Sequence, residues 1–414
     1  MSAREGDAQA RSTADAVARR SYGKLVAFLA ARTRDVAGAQ DALSEAFVSA
    51  LADWSANGCP RNPEAWLLTA ARRKMIDAAR KRRTGESLAA ELEILSEGLD
   101  MAEHGQIPDR RLALMFACAH PALDAGIRAP LMLQAVMGLD AKRIASAFLV
   151  SPEAMGKRLG RAKEKIRDAG IRLEVPERDD LDGRLEAVLE AVYAAYAEGW
   201  SDPGGTDAAR CDLTGEAVYL ARLAAELQPG EPEALGLLAL MLHTQARASA
   251  RRDAKGEYVP LAEQDPALWD AEMIEEAESV LARAAALGKL GRYQIEAALQ
   301  SAHVHRRRSR KSNWAQVLEL YDALAAITGS PVVAVNRALA LAEVRGPDAA
   351  LAALDEVAAD ARLEDYQPYW ASRAELFART GRRDEADSAY EIAIGLERDP
   401  AVRSFLERKR AALA

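Results

Sequence analysis

The stretch LDAKRIASAFLVSPEAMGKRLGRAKEKIRDAG, Leu139–Gly170, decides how this chain is read. A short helical segment from Asp140 to about Phe148 meets a tight turn at Leu149-Val150. Ser151 then stands where a side-chain oxygen caps a helix, and Pro152 takes the first helical position, where its missing N–H costs nothing. Gly170 is placed to stop that second helix. Met155, Leu159, Ala162 and Ile166 recur at helical spacing and form one stripe to be buried. Lys157, Arg158, Arg161 and Lys165 fall largely on the other side. Two helices with this turn between them have the layout of a helix-turn-helix. Gly156 and Gly160 each cost about 1 kcal/mol of helix stability against Ala. Either they admit a close backbone approach or they are simply tolerated.

Upstream, helical periodicity continues over residues 14–56, with one candidate helix from Gly38 to Trp54. It carries Ala42, Phe47 and Leu51 among its apolar positions and Asp41, Ser44 and Glu45 on the wet side. A turn-rich loop follows, Ser55-Ala56-Asn57-Gly58-Cys59-Pro60-Arg61-Asn62-Pro63. Asn62 before Pro63 is a cap followed by a first-turn proline, which predicts a new helix through NPEAWLLTAARRKMIDAARKRR. Its basic last half, Arg72-Arg73-Lys74 and Arg80 to Arg83, complements the helix dipole. That run is either a solvated helix end or a nucleic-acid contact. Trp54 and Trp66 read as core residues rather than base-stacking platforms.

Ala, Leu, Arg and Glu dominate the 414 residues, and β-branched runs are few, so the chain is expected to be all-α. Its net charge of −8 conceals an uneven distribution. Residues 1–83 hold 15 Lys/Arg against 9 Asp/Glu, or +6, and residues 84–107 hold six acids and no Lys or Arg. Residues 108–170 return to +5, with 11 against 6, and the remainder is −13, with 29 against 42. Two basic modules thus flank an acidic linker and precede an acidic mass, a pattern more informative than the net value. Cys59, Cys118 and Cys211 are widely separated, so neither a disulfide framework nor a zinc module is expected. Cys118 and His120, two residues apart, do not share a helix face, and no metal or cofactor is expected. The polar first 20 residues hold no signal peptide, and no apolar run suffices to span a bilayer. A cytoplasmic protein is expected.

After Pro176 the chain turns to acidic, Ala-rich helices. NRALALAEVRGPDAALAALDEV, from Asn336, recurs as SRAELFARTGRRDEADSAYEIA, from Ser372, at an offset of 36 residues with one gap. A weaker copy spans QSAHVHRRR from Gln300 and NWAQVLELYDAL from Asn313. Small residues, an inter-helix Gly and a period near 34 are the signature of tetratricopeptide repeats, whose stacks bind protein segments on a concave face. The basic run His305 to Lys311 reads as an exposed inter-helix loop.

These stretches, in this order, resemble the extracytoplasmic-function sigma factors (group four, sigma-seventy type), in the subgroup with a C-terminal tetratricopeptide-like extension. AGAQDALSEAFVSALADW and NPEAWLLTAARRKMIDAARKRR carry the likeness in the first module. RLALMFACAHPAL and the helix-turn-helix carry it in the second, and EPEALGLLALMLHTQARASAR, LAEQDPALWD, NWAQVLELYDAL and SPVVAVNRALALAEVRGP in the tail. The family's paired cysteines before His-Pro are here only Cys118-Ala119-His120-Pro121. The likeness implies a region 2 domain at 14–83, an acidic linker at 84–107 and a region 4 helix-turn-helix domain at 108–172. A helical extension at 177–290 and tetratricopeptide-like repeats at 291–414 would follow. It implies core RNA polymerase as partner, through the β′ clamp helices and the β flap, with promoter DNA and a possible protein partner of the repeats.

By the same likeness, Asp41, Glu45 and Phe47 would dock on the β′ clamp helices. The loop from Asn57 to Asn62 and the helix to Arg83 would capture the downstream promoter element, about −10, as it melts. The residue chemistry agrees: strand opening needs a receiving loop and backbone cations, which Asn57, Asn62, Arg72, Arg73 and Arg80 could supply. Lys157, Arg158, Arg161 and Lys165 would read the upstream element, about −35, from the major groove. No nucleophile–base pair or phosphate loop stands in the sequence, so no enzyme is expected. The alternative is a one-component regulator with a ligand- or peptide-sensing repeat domain, which leaves residues 14–83 without a task.

Overall fold

The computed structural model describes residues 3–82, 109–148, 150–200 and 208–413. Among these residues the chain is all-α: eighteen α-helices and three short 3-10 turns, with a single isolated bridge, Arg252–Tyr258, and no strand. Its contacts divide into two compact units, Met1–Leu223 and Ala224–Ala414. The acidic linker expected at 84–107 lies outside the described residues.

The first unit opens with α1 (Ala3–Thr33), α2 (Val36–Asn57) and α3 (Pro63–Arg82). Asp35 caps α2 by accepting the Gly38 N–H at 2.8 Å, so the helix starts two residues before the expected Gly38. It also runs past Trp54, into what reads as loop. Ser55 Oγ donates to the Leu51 carbonyl at 2.7 Å and Asn57 Nδ2 to Asp53 Oδ1 at 2.8 Å, which holds the last turn. Gly58, at φ +85°, then ends it. Leu25, Leu43, Trp54, Leu67 and Leu68 fill the space between the three helices. Trp54 meets Trp66 edge-on at 5.5 Å, so both indoles serve packing.

Next come α4 (Arg111–Cys118), α5 (Ala125–Ala135), α6 (Ala141–Ala147) and α7 (Pro152–Asp168). Every residue of α4 is buried, which is how RLALMFAC becomes a central strut. Ser151 caps α7 by accepting the Ala154 N–H at 3.2 Å, Pro152 follows at the first turn, and Gly170 takes φ +60° just beyond it. Met155, Leu159, Ala162 and Ile166 are the buried residues of α7, the stripe expected from their spacing.

Helix α8 (Arg178–Trp200) packs on α4 and α5, and α9 (Ala208–Leu227), as far as Leu223, completes the unit. Arg111, 8% exposed, joins α4 to α9: it pairs with Asp109 at 2.7 Å and with Glu216, and lies 4.9 Å from the Tyr219 ring.

The second unit continues with α10 (Pro232–Gln245), α11 (Ala271–Ala286), α12 (Arg292–Ser309), α13 (Trp314–Thr328) and α14 (Pro331–Arg345). It closes with α15 (Pro347–Glu356), α16 (Gln367–Arg379), α17 (Arg383–Leu396) and α18 (Pro400–Ala411). The pairs α14–α15 and α16–α17 carry the 36-residue recurrence, with Gly346 at φ +90° and Gly381 at φ +76° at the inter-helix bends. One cluster around Leu354, Leu376, Phe377 and Tyr390 fills the space between them.

The run His305 to Lys311 departs from its reading as a loop. Helix α12 continues to Ser309, because Arg306 stacks over the Trp314 ring at 3.9 Å and Arg307 donates to the Gln264 carbonyl at 2.6 Å. Only Arg310, in the left-handed conformation at φ 55°, breaks the helix.

Candidate nucleic-acid interface

The side chains expected to carry function occupy three places on the first unit. On α2, Asp41 and Glu45 are exposed and Phe47 is half-buried beside them. Glu45 is 3.2 Å from Lys74 Nζ on α3, an exposed pair that contributes little stability and leaves the carboxylate available. Val48 and Leu51 stand on the same face, 69% and 41% exposed. The sequence reading passed over Val48. Its signal was an apolar residue one turn beyond Ser44, on the wet side of an otherwise well-separated helix.

The α2–α3 loop is the second place. Asn62 is exposed and caps α3, its Oδ1 accepting the Ala65 N–H at 3.1 Å. Asn57 is exposed and tied to Asp53. Arg73 and Lys74 point to solvent, whereas Arg72, 5% exposed, lies on the inner face with Leu68, Ala71 and Met75. Arg72 thus does not stand with the surface cations in this conformation. A helix turns 100° per residue, so neighbours in a basic run cannot all face outward. Arg80 belongs to α3, and its side chain lies outside the described residues.

The third place is α7. Lys157 is exposed and bonded to Glu153 at 2.7 Å, and Arg161 Nε donates to the Lys157 carbonyl at 3.4 Å. Arg158, Arg161 and Lys165 line a groove of about 370 Å³ with Leu123, Asp124 and Ile127 at the start of α5. The Asp124 side chain already caps the start of α5, accepting the Gly126 N–H at 3.0 Å, so it is the three cations against one carboxylate that favour an anion such as a phosphodiester. Gly156 and Gly160 are exposed, and a Cβ on either would meet nothing within 4 Å. Packing among the described residues therefore does not require them. Lys163 points elsewhere: it donates to Gln40 Oε1 on α2 at 2.5 Å, and burial lowers its pKa. Cys118 is fully buried, which pushes its thiol up to about 12, and the His120 ring accepts the Ala122 N–H at 3.1 Å.

Comparison with known proteins covers the first two places. Residues 17–84 match the model of sigma-70 region 2, which covers the described helix α2, the loop, α3 and most of α1. Uncharacterized protein R00370 of Rhizobium meliloti (strain 1021) is 38% identical over 383 residues, 91% of this chain and 90% of that protein. The two proteins belong to one family. Region 2 supports a sigma-factor-like role in transcription initiation and implies binding to core RNA polymerase and promoter DNA. Residues 184–285 match a family of unknown function, DUF6596, which spans the unit boundary. No solved structure matches. Among the described residues, no helix is long and apolar enough to cross a membrane.

Proposed function

We propose that this chain is an alternative sigma factor that brings core RNA polymerase to its promoters. The carrying observation is the region 2 match over residues 17–84, on helices that expose Asp41 and Glu45 beside Val48 and Leu51. In this reading the α2 face docks on the β′ clamp helices, and α4–α7 engage the β flap. Asn57, Asn62, Arg73 and Arg80 receive the melting downstream element. Helix α7 is the recognition helix of a helix-turn-helix, with Lys157 and Arg161 outermost and Arg158 and Lys165 against the flanking backbone. Phosphate contacts position such a helix and base contacts specify the sequence. The domain limits expected from the sequence are retained as functional segments, with a cytoplasmic location. The tail is a regulatory stack of tetratricopeptide-like helix pairs whose concave face takes a protein partner.

Run-off transcription with core polymerase, with and without this protein, tests the proposal. Specific transcripts are expected only in its presence. A chain that binds duplex DNA tightly on its own and starts no transcript would instead be a one-component regulator. Replacing Asp41 and Glu45 together by Arg should abolish co-elution with core polymerase. Unchanged co-elution would remove α2 from the docking face.

A further inference from the structure

Between α10 and α11 the chain makes a long excursion whose first part folds on itself. The Val259 N–H donates to the Arg251 carbonyl at 2.9 Å and the Asp253 N–H to the Glu257 carbonyl at 3.1 Å, which pairs Arg252 with Tyr258 across a short finger. Asp253 Oδ1 accepts the Lys255 and Glu257 N–H groups at 2.8 and 2.9 Å, and Gly256, at φ +80°, turns the tip. All these bonds lie inside residues 251–259, so the finger keeps its shape whatever it rests on. Cross-strand partners set their side chains on one face, so Arg252 and Tyr258 present a guanidinium beside a ring.

That face is seated on α18, 147 residues further along the chain. Arg252 Nη2 donates to Asp399 Oδ2 at 2.6 Å, the Tyr258 ring meets the Phe405 ring edge-on at 5.6 Å, and Arg408 Nη1 donates to Glu257 Oε2 at 2.7 Å. Just beyond the finger, Gln264 Nε2 donates to the Val259 carbonyl at 3.3 Å, and the Gln264 carbonyl accepts from Arg307 of α12 at 2.6 Å. The segment thus ties α12 to α18, which the chain otherwise connects through α13–α17. The seat on α18 does not depend on the finger. Asp399 is fixed by its own helix, its Oδ1 accepting the Ala401 N–H at 3.0 Å, and Phe405 packs on the cluster around Leu376 and Tyr390. The contact itself is two ion pairs, one of them exposed, and one ring pair, a small and mostly polar set that parts without disturbing either side.

We infer that the finger is a built-in stand-in for the protein partner of the tail, and that it must leave α18 to admit that partner. The seat of Asp399, Phe405 and Arg408 then takes a protein element that sets a cation beside an aromatic ring, with a carboxylate next to them. The inference deepens the reading of the tail as a partner-binding stack and rests on it for the regulatory consequence. In a curved stack, a link between the first and last helices runs as a chord across the concave side, where the partner would lie.

The probe is a peptide of residues 249–261, cyclised head to tail and labelled on Lys255 at the exposed tip, with binding to the full-length chain read by fluorescence anisotropy. The parent chain should bind it weakly, because its own finger holds the seat. Arg252→Ala with Tyr258→Ala vacates the seat and should bind the peptide about tenfold tighter or more, the effect of losing an internal competitor. Adding Asp399→Asn should return binding to the parent level, since Asn caps a helix as well as Asp but carries no charge. Glu257→Arg, which sets like charges against Arg408, vacates the seat by a second route and should act in the same direction if the double variant does not fold. Binding no tighter in the vacated chains than in the parent overturns the inference and makes the finger a brace. So does tighter binding that survives Asp399→Asn. Tighter binding in the vacated chains, with run-off transcription indifferent to both the finger and the peptide, would uphold the seat and refute the regulatory reading of the tail. Transcription that depends on residues 177–414, with no gain in peptide binding, would do the reverse.

Discussion

At the scale of single residues, burial decides which polar groups respond to pH and which can reach a partner. His303, on α12, accepts no proton easily: burial, reinforced by the Arg306 and Arg247 cations, pushes its pKa down to about 4. His243, on α10, is fully buried and shifted in the same direction by burial, with Glu278 3.6 Å away pulling the other way. Both pKa values lie lower in the folded chain than the ordinary 6.5, so the unfolded chain binds more protons between those limits. Their contribution to stability is therefore complete above about pH 6.5 and is lost as pH falls toward 4, by at most about 3 kcal/mol for His303. Thermal unfolding of the second unit should drop steeply across that window. The slope should flatten in His303→Leu, and an equal slope would remove His303 from the account. On α7, Arg161→Ala and Lys157→Ala should both reduce transcription from the cognate promoter. A base-reading position would relax preference at one promoter position, and a phosphate-binding one would weaken all sequences alike. Wild-type transcription in both variants would refute the assignment of α7.

At the scale of elements, the same substitution has opposite expected signs at different glycines. Gly156→Ala with Gly160→Ala fills open space on an exposed helix and should raise stability by about 1 kcal/mol for each replacement, read as a higher melting temperature. If that smooth face meets DNA, the double variant should be more stable yet poorer at promoter binding. Stability and transcription rising together would make these glycines merely tolerated. Gly236 of α10 is the reverse case, because a Cβ there would lie 2.5 Å from the Gln294 backbone nitrogen on α12. Gly236→Ala should destabilise the second unit by about 1–3 kcal/mol, the usual cost of overpacking a close helix crossing. The caps that begin α3 and α7, Asn62 and Ser151, were legible in the sequence because a cap needs only its own helix. The last turn of α12 was not, since Trp314 and Gln264 supply its partners from outside the basic run.

At the scale of the whole molecule, the first unit extends beyond the helix-turn-helix segment to Leu223. Helix α8 buries Val188, Leu189 and Val192, and Glu216 and Tyr219 of α9 engage Arg111. A fragment ending at residue 176 removes those partners and leaves Arg111 with Asp109 alone among the described contacts. Residues 1–176 should therefore melt at lower temperature and aggregate more readily than residues 1–223, by differential scanning fluorimetry and light scattering. Equal melting of the two fragments would show α8 and α9 to be dispensable to the unit.

The sequence by itself determined the helical class, the capped start of α7, its buried stripe and the exposure of Asp41 and Glu45 on α2. Each of these depends on residues within one or two turns of each other, so periodicity and capping chemistry carry the information. Tertiary structure alone decided that Arg72 faces inward while Arg73 faces water, that Lys163 leaves the other α7 cations to meet Gln40, and that Gly23 abuts Val136. The partners in those contacts come from helices up to 123 residues apart in the chain. Local pattern records which face of a helix is apolar, but the identity of what covers it depends on packing between elements.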